Sequence, residues 1–345
     1  MKVNKFALST TASLCTLLLV GTSTVQAAGT AFQDTNGHWA QNAITRMSSY
    51  QIVNGYAGNF RPNDTITRGE MAVILNNVMK YQQQADNTFS DLQQAFYTDA
   101  ILKAGRAGVM YGANGKVRPT DPISRQEAVA MMARAFDVEA SAGSISVPDA
   151  NSISDWAKGS VCAFMQKGYI DGKNAFRPTA SITRAEVVTI LNRLLSGYYA
   201  TAGSFSESAN GTVVINTQDV ALKDAVIDGD LILSEGIKDG DVTLENVTVK
   251  GRTLIRGGGA NSIHVTGNSV LGAVVMERDG APVRIAIEND AKVGNITVGE
   301  KAAEAVVTGD VPSVTVAGSA KLTAQDAKID TISVTASDAS VALTG

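Results

Sequence analysis

Apolar positions along this chain follow two different rhythms. Up to about residue 195 they recur every three to four positions, the spacing of an amphipathic helix, over residues 40–49, 99–107 and 156–167. A glycine turn follows each (Gly55, Gly112, Gly172), then a short extended Phe/Val-Arg-Pro segment where proline blocks helix. A second helical face comes next, carried by residues 71–75, 128–136 and 187–195. From about Gly203 the pattern becomes short alternating runs: 212–216, 230–233, 241–244, 246–250, 253–256, 262–266, 283–287, 295–298, 313–316 and 331–335. Turn signals such as Asp228-Gly229, Asp239-Gly240, Gly267-Asn268 and Gly309-Asp310 separate them, and the runs predict strands.

The helical half is one unit written three times. Asn59-Phe60-Arg61-Pro62, Lys116-Val117-Arg118-Pro119 and Ala175-Phe176-Arg177-Pro178 are the same tetrad. Seven residues after each of these arginines stands another, Arg68, Arg125 or Arg184, inside Thr67-Arg68-Gly69-Glu70, Ser124-Arg125-Gln126-Glu127 or Thr183-Arg184-Ala185-Glu186. The second tetrads are 57 and 59 residues apart, and Asp34, Asp91 and Asp149 precede their arginines by 34, 34 and 35 residues. A fixed register of this kind is the signature of repeat architecture.

The hydroxyl and glutamate of the second tetrad predict a capping box at the start of each second helix. The arginine is not explained by capping. In the first helical turn it faces the positive end of the helix dipole, unfavourable by roughly 0.3–1 kcal/mol. Two readings remain open: a pocket that receives an anion beside free backbone N–H groups, or a salt bridge to a neighbouring helix. A guanidinium suits a carboxylate, which it grips with two parallel hydrogen bonds. Arg61, Arg118 and Arg177, each before proline, read as packing or turn residues.

The order Asp…Trp-Ala…Gly…Phe-Arg-Pro…Ile-Thr-Arg-Ala-Glu resembles the S-layer homology family, in three tandem copies over about half of the chain. The resemblance implies an α-rich, pseudo-trimeric bundle inside one chain. Its grooves would hold the pyruvylated secondary cell-wall polysaccharide of Gram-positive-type bacteria, the pyruvyl ketal carboxylate meeting the repeat arginine. That role falls on Arg68, Arg125 and Arg184, with Asp34, Asp91 and Asp149 as acceptors for sugar hydroxyls. Trp39 and Trp156 match the family's tryptophan, which either stacks on a sugar face or closes the helix start against the core. Repeat two departs, with Phe96-Tyr97 for Trp and Ser-Arg-Gln-Glu for Thr-Arg-Ala-Glu, and repeat one carries Gly69. Unequal sites are therefore expected.

The expected organisation is a signal peptide (1–28), repeats at 29–85, 86–143 and 144–200, a Ser/Gly/Ala linker (201–211) and a β-rich domain (212–345). The leader reads from Lys2 and Lys5, the apolar run 14–20 and the small residues Ala27-Ala28, and makes the protein secreted, at the cell wall or surface layer. Its removal leaves 27 basic residues (29 less these two lysines) against 33 acidic ones. A mildly acidic chain without a basic cluster argues against nucleic acid and anionic lipid. Cys162, in an apolar helical stretch, reads as a small core residue, and His38 and His264 alone make no metal constellation. No cofactor, metal or membrane span is expected, and other surface-layer proteins are candidate partners.

Residues 211–345 contain no Phe, Trp or Tyr and are rich in Val, Ile, Thr, Ala, Asp and Gly. Many short strands with an aliphatic interior favour a parallel β-helix, with a β-sandwich as the alternative. The absence of a polar cap at 342–345 suggests a partner on the last turn or a longer natural chain. The leading function is non-catalytic: the repeats anchor, and the β-rich half is a structural or adhesive module. The alternative is a wall-anchored carbohydrate-active enzyme, a polysaccharide lyase or hydrolase, with its site on the β-domain. Against it stand the missing aromatic platforms and the single histidine, His264, in an alternating strand.

Overall fold

The structure is a computed structural model, and it describes residues 32–344. The leader (1–28) lies outside the described residues. Helices α1 (Gln41–Ser49), α2 (Arg68–Met79), α3 (Thr98–Arg106), α4 (Arg125–Ala135), α5 (Asp155–Gln166) and α6 (Arg184–Leu194) are the paired helices of three successive repeats. The three capping boxes are present. The hydroxyls of Thr67, Ser124 and Thr183 accept from the backbone N–H of Glu70, Glu127 and Glu186, and those carboxylates accept from the backbone N–H of the cap residue. Each box thus satisfies two orphaned donors.

Packing runs between repeats as much as within them. The second helix of each repeat lies against the first helix of the next: α2 on α3, α4 on α5, and α6 back on α1. The extended segments before the second helices do the same. Ile66 N–H donates to Ile182 O (3.2 Å), Ile182 to Ile123 (3.1 Å) and Ile123 to Ile66 (3.0 Å), and all three side chains are fully buried. The chain of bonds closes on itself, so no repeat is terminal in the ring. Cys162 is buried, as its apolar neighbours predict.

The second half is a parallel β-solenoid of about seven turns. It begins directly after α6, with β1 (Leu195–Tyr199) and β2 (Gly203–Phe205), then β3 (Thr212–Ile215), β4 (Val220–Lys223) and β5 (Val226–Ile227). Next come β6 (Leu231–Leu233), β7 (Val242–Glu245), β8 (Thr248–Ile255), β9 (His264–Thr266) and β10 (Val270–Met276). The last turns hold β11 (Pro282–Ile287), β12 (Lys292–Val298), β13 (Glu304–Val316), β14 (Lys321–Val334) and β15 (Ser340–Thr344). Every pairing between these strands is parallel, which answers the sandwich alternative. The stretch expected as a linker is the solenoid's first turn. There Tyr199 and Phe205 stack with centroids 4.5 Å apart on the aliphatic interior, so the aromatic plug sits just before the aromatic-free region.

One ladder shows what holds the turns in register. Ile215, Leu233, Ile255, Met276, Val298 and Val316 are successive partners, all fully buried in the interior. Each contributes roughly 1.5–3 kcal/mol by burial. At one corner Gly211, Gly229 and Gly251 form a column: a Cβ on Gly229 would meet the Gly211 backbone at 2.4 Å, and one on Gly251 the Gly229 carbonyl oxygen at 2.5 Å. Only glycine lets the turns approach so closely there.

The two halves share one core. Val214, Ile232 and Leu254 point out of the solenoid into the helical cluster that includes Met71, Leu75, Met132 and Leu191. Polar contacts rim this junction and cap helix ends. Arg256 Nη1 donates to Ala135 O (2.9 Å), Asn216 Nδ2 to Val78 O (3.2 Å) and Tyr198 Oη to Asn77 O (3.0 Å). Arg252 binds the Asp137 carboxylate at 2.8 Å, and Arg106 donates to both oxygens of Asp279 (2.5 and 2.7 Å). These contacts join the solenoid to the helical repeats.

Candidate ligand grooves at the repeat seams

Each seam joins the arginine at the start of one repeat's second helix to the Arg-Pro turn of the next repeat. Arg68 is 6% exposed. Its Nε donates to Val117 O (2.9 Å), Nη2 to Tyr111 O (2.9 Å) and Nη1 to Glu127 Oε1 (2.8 Å). At the second seam Arg125 Nε donates to Phe176 O (2.7 Å), and Nη1 lies 2.6 Å from Glu186 Oε1. At the third, Arg184 Nε donates to Phe60 O and Nη2 to Asn54 O, both 2.8 Å. Its guanidinium lies 4.5 Å from the Phe60 ring centroid. A plain structural reason for the repeat arginine is therefore that it clamps neighbouring repeats through backbone carbonyls.

The other half of each seam is a strained turn. Arg61, Arg118 and Arg177 adopt left-handed backbone, with φ of 58°, 52° and 55°. That conformation is unfavourable for a residue with a Cβ, by roughly 1–2 kcal/mol. The upstream aspartate holds it. Asp34 accepts from the N–H groups of Phe60 (2.8 Å) and Arg61 (2.6 Å), Asp91 from Val117 (2.9 Å) and Arg118 (2.8 Å), and Asp149 from Phe176 (2.8 Å) and Arg177 (2.6 Å). Burial opposes the charge on these carboxyls, but the paired N–H donors outweigh it and hold all three below the usual range. The clasp spans 27, 27 and 28 residues, seven fewer than the Asp-to-Arg spacing of the sequence, because it ends on Arg61, Arg118 and Arg177.

Sequence reasoning assigned Arg61, Arg118 and Arg177 packing or turn roles, and their left-handed backbone makes them turn residues. It missed that their guanidinium groups return to the seam. Arg118 Nη2 lies 3.1 Å from Glu127 Oε1 and Arg177 Nη2 2.9 Å from Glu186 Oε1. In two seams a single glutamate oxygen thus sits between two arginines. Burial raises the Glu127 pKa, while donors from Ser124 and the charges of Arg68 and Arg118 pull it below its ordinary value. The signal was present in the sequence as a constant Arg-to-Glu separation of nine residues.

The aromatics at the first-helix starts face water. Trp39 is 65%, Phe96 74% and Trp156 55% exposed, so none of them closes the core. In repeat two an open groove of about 530 Å³ runs beside this position, lined by Asp91, Gln94, Tyr97, Lys116, Arg118 and Asp121. The two departures in repeats one and two touch each other. Tyr97 stands where the other repeats have the buried Ala40 and Ala157, and a Cβ on Gly69 would come within 2.8 Å of its ring. Gly69 is the space that Tyr97 needs.

Elsewhere, the Asp-Gly-Asp turns are neutralised by basic side chains one or two turns on: Asp228 by Lys250, Asp230 by Arg252 and Asp239 by Arg278. His264 contacts Glu288 at 3.1 Å. Among the described residues no group of three or more His, Cys, Asp or Glu is placed to hold a metal, and no helix is long and apolar enough to cross a membrane.

Three helix pairs with capped second helices, seamed by arginine and fused to a solenoid, define a repeat-built module. The S-layer homology domain model matches residues 31–72, 88–129 and 148–188, so the chain carries three tandem S-layer homology domains. It is 34% identical to the exoglucanase XynX of Acetivibrio thermocellus over 52% of this chain and 18% of that protein. It is 29% identical to the surface-layer 125 kDa protein of Lysinibacillus sphaericus, over 55% of this chain and 17% of that one. With the S-layer protein sap of Bacillus anthracis the identity is 24%, over 58% and 25%. The chain spans a quarter or less of each of these relatives.

Proposed function

We propose that the three repeats anchor a secreted protein to the bacterial cell wall by binding a pyruvylated secondary cell-wall polysaccharide in the seam grooves. The observation that carries this reading is the recurrence of two arginines at each seam and of an exposed aromatic at the start of each repeat's first helix, with an open groove beside Arg118 in repeat two. In it the ring acts as a pseudo-trimer. Arg68, Arg125 and Arg184 form the floor, and Arg61, Arg118 and Arg177 reach the ligand from the rim. A ketal carboxylate accepts the charge-assisted bonds that guanidinium supplies. Trp39, Phe96 and Trp156 offer ring faces to sugars. Asp34, Asp91 and Asp149 keep lone pairs beyond those used by the backbone, which suit sugar hydroxyls. The solenoid, sharing the repeats' core, is carried as a structural or adhesive module at the cell surface.

The relatives supply the second reading, a wall-anchored carbohydrate-active enzyme: besides the exoglucanase they include an amylopullulanase and an endo-1,4-beta-xylanase. Against it, the solenoid from residue 211 onward offers no aromatic platform. Co-sedimentation of the full chain with purified Gram-positive cell walls tests the anchoring reading. Binding is expected to native walls and to fall to background after acid removal of the pyruvyl ketals. Undiminished binding to the treated walls would rule out the ketal carboxylate as ligand.

A further inference from the structure

The three seams are built from the same residues but are not in the same state. In the first, Glu127 Oε1 is held by Arg68 (2.8 Å) and Arg118 (3.1 Å). In the second, Glu186 Oε1 is held by Arg125 (2.6 Å) and Arg177 (2.9 Å). The corresponding trio at the third seam is Arg184, Arg61 and Glu70, and there, among the described residues, neither arginine pairs with the glutamate. Arg184 spends Nε and Nη2 on backbone carbonyls, and Glu70 is its strongest attractive charge without closing an ion pair to it. Arg61 leans away to Asp64 at 3.7 Å. Glu70 keeps its capping bond to Thr67 N–H through Oε2 (2.7 Å). The rim of this seam carries His38, whose Nε2 lies 3.3 Å from Asn63 Oδ1, with Trp39 next to it.

We infer that the capping-box glutamate is an internal competitor for the ligand carboxylate, so that the first two seams are latched and the seam between repeats three and one is the open binding site. The inference rests on the anchoring reading above and adds which groove is used and what closes the others. A carboxylate oxygen held between two guanidiniums is what an acidic glycan would present. In the latched seams a protein carboxylate already occupies that position, tethered at very high effective concentration. An incoming carboxylate must displace it there, whereas at the third seam no ion pair to the capping glutamate has to be broken before it reaches Arg184 and the exposed Arg61. Crowding does not explain the difference, because all three glutamates keep their capping role.

Calorimetric titration of the full chain with a monosaccharide glycoside bearing a pyruvyl ketal decides the matter. One site per chain is expected. Arg61→Asn, a residue that accepts left-handed backbone, is expected to weaken it about tenfold or more. Glu127→Gln keeps a capping side chain but loses the charge, and is expected to raise the count to two. Two or three sites in the unmodified chain, affinity insensitive to Arg61→Asn, or a count unchanged by Glu127→Gln would each overturn the latch while leaving anchoring intact. No binding at all by the unmodified chain would overturn the anchoring reading and this one with it.

Discussion

Replacing Arg68 with alanine should destabilise the fold before it affects any ligand. The side chain is nearly buried and holds three acceptors of the next repeat: the carbonyls of Val117 and Tyr111 and the Glu127 carboxylate. Breaking a buried ion pair from one side costs about 3–5 kcal/mol, and each buried acceptor left unpaired about 1–3 kcal/mol. Glu127 is not orphaned, because Arg118 and Ser124 still reach it. That rescue puts the expected loss near the lower end, about 3 kcal/mol. Urea unfolding of the full chain followed by circular dichroism reads it as a lower midpoint. Arg68→Lys should retain part of the stability, since an ammonium keeps the charge but not the fork. A loss below about 1 kcal/mol for Arg68→Ala would refute the clamp. The same reasoning makes alanine at the floor arginines a poor probe of ligand binding, because lost structure would mimic lost contact.

Two further outcomes follow from the packing and the charges. Gly69→Ala should cost about 1–3 kcal/mol through overlap with Tyr97, despite alanine's better helix propensity, and become neutral or stabilising in a Tyr97→Ala background. Additive effects in that double-mutant cycle would contradict the contact. Asp34, Asp91, Asp149 and Glu127 have folded-state pKa values below their ordinary ones, so their contribution is complete above the unfolded carboxyl range near pH 4. It is lost as pH falls from there through the lower folded values. The urea midpoint should stay level from pH 7 to 5 and drop below about pH 4, and a midpoint unchanged down to pH 3 would contradict the clasp.

Features that depend on neighbours in the chain were legible. The capping boxes need only residues three apart, and all three formed as written. The role of Arg68 was not legible, because its carbonyl partners lie 43 and 49 residues downstream in another repeat. Alternation located most of the solenoid strands but passed over β1, β2, β4, β5, β10 and β15; in β10 Gly272 interrupts Val270-Leu271 before Ala273-Val274. The run 230–233 reads as alternating, yet Leu231-Ile232-Leu233 is buried throughout. Its central side chain is buried against the helical ring while its neighbours fill the interior, so both faces are apolar. The Ser/Gly/Ala segment read as a linker because its turn is small and polar, whereas Tyr199 and Phe205, which plug the solenoid, sit just outside the aromatic-free stretch. The open third seam leaves no trace in the sequence: Arg61, Arg118 and Arg177 occupy equivalent positions and differ only in what they pair with.

The central claim is that the seam guanidiniums hold the wall polymer. The direct measurement is co-sedimentation with native cell walls of a triple variant at the rim, Arg61→Asn, Arg118→Asn and Arg177→Asn, whose side chains are exposed and whose backbone suits asparagine. The account predicts a bound fraction at background with an unchanged melting temperature. Wall binding equal to that of the unmodified chain would contradict it.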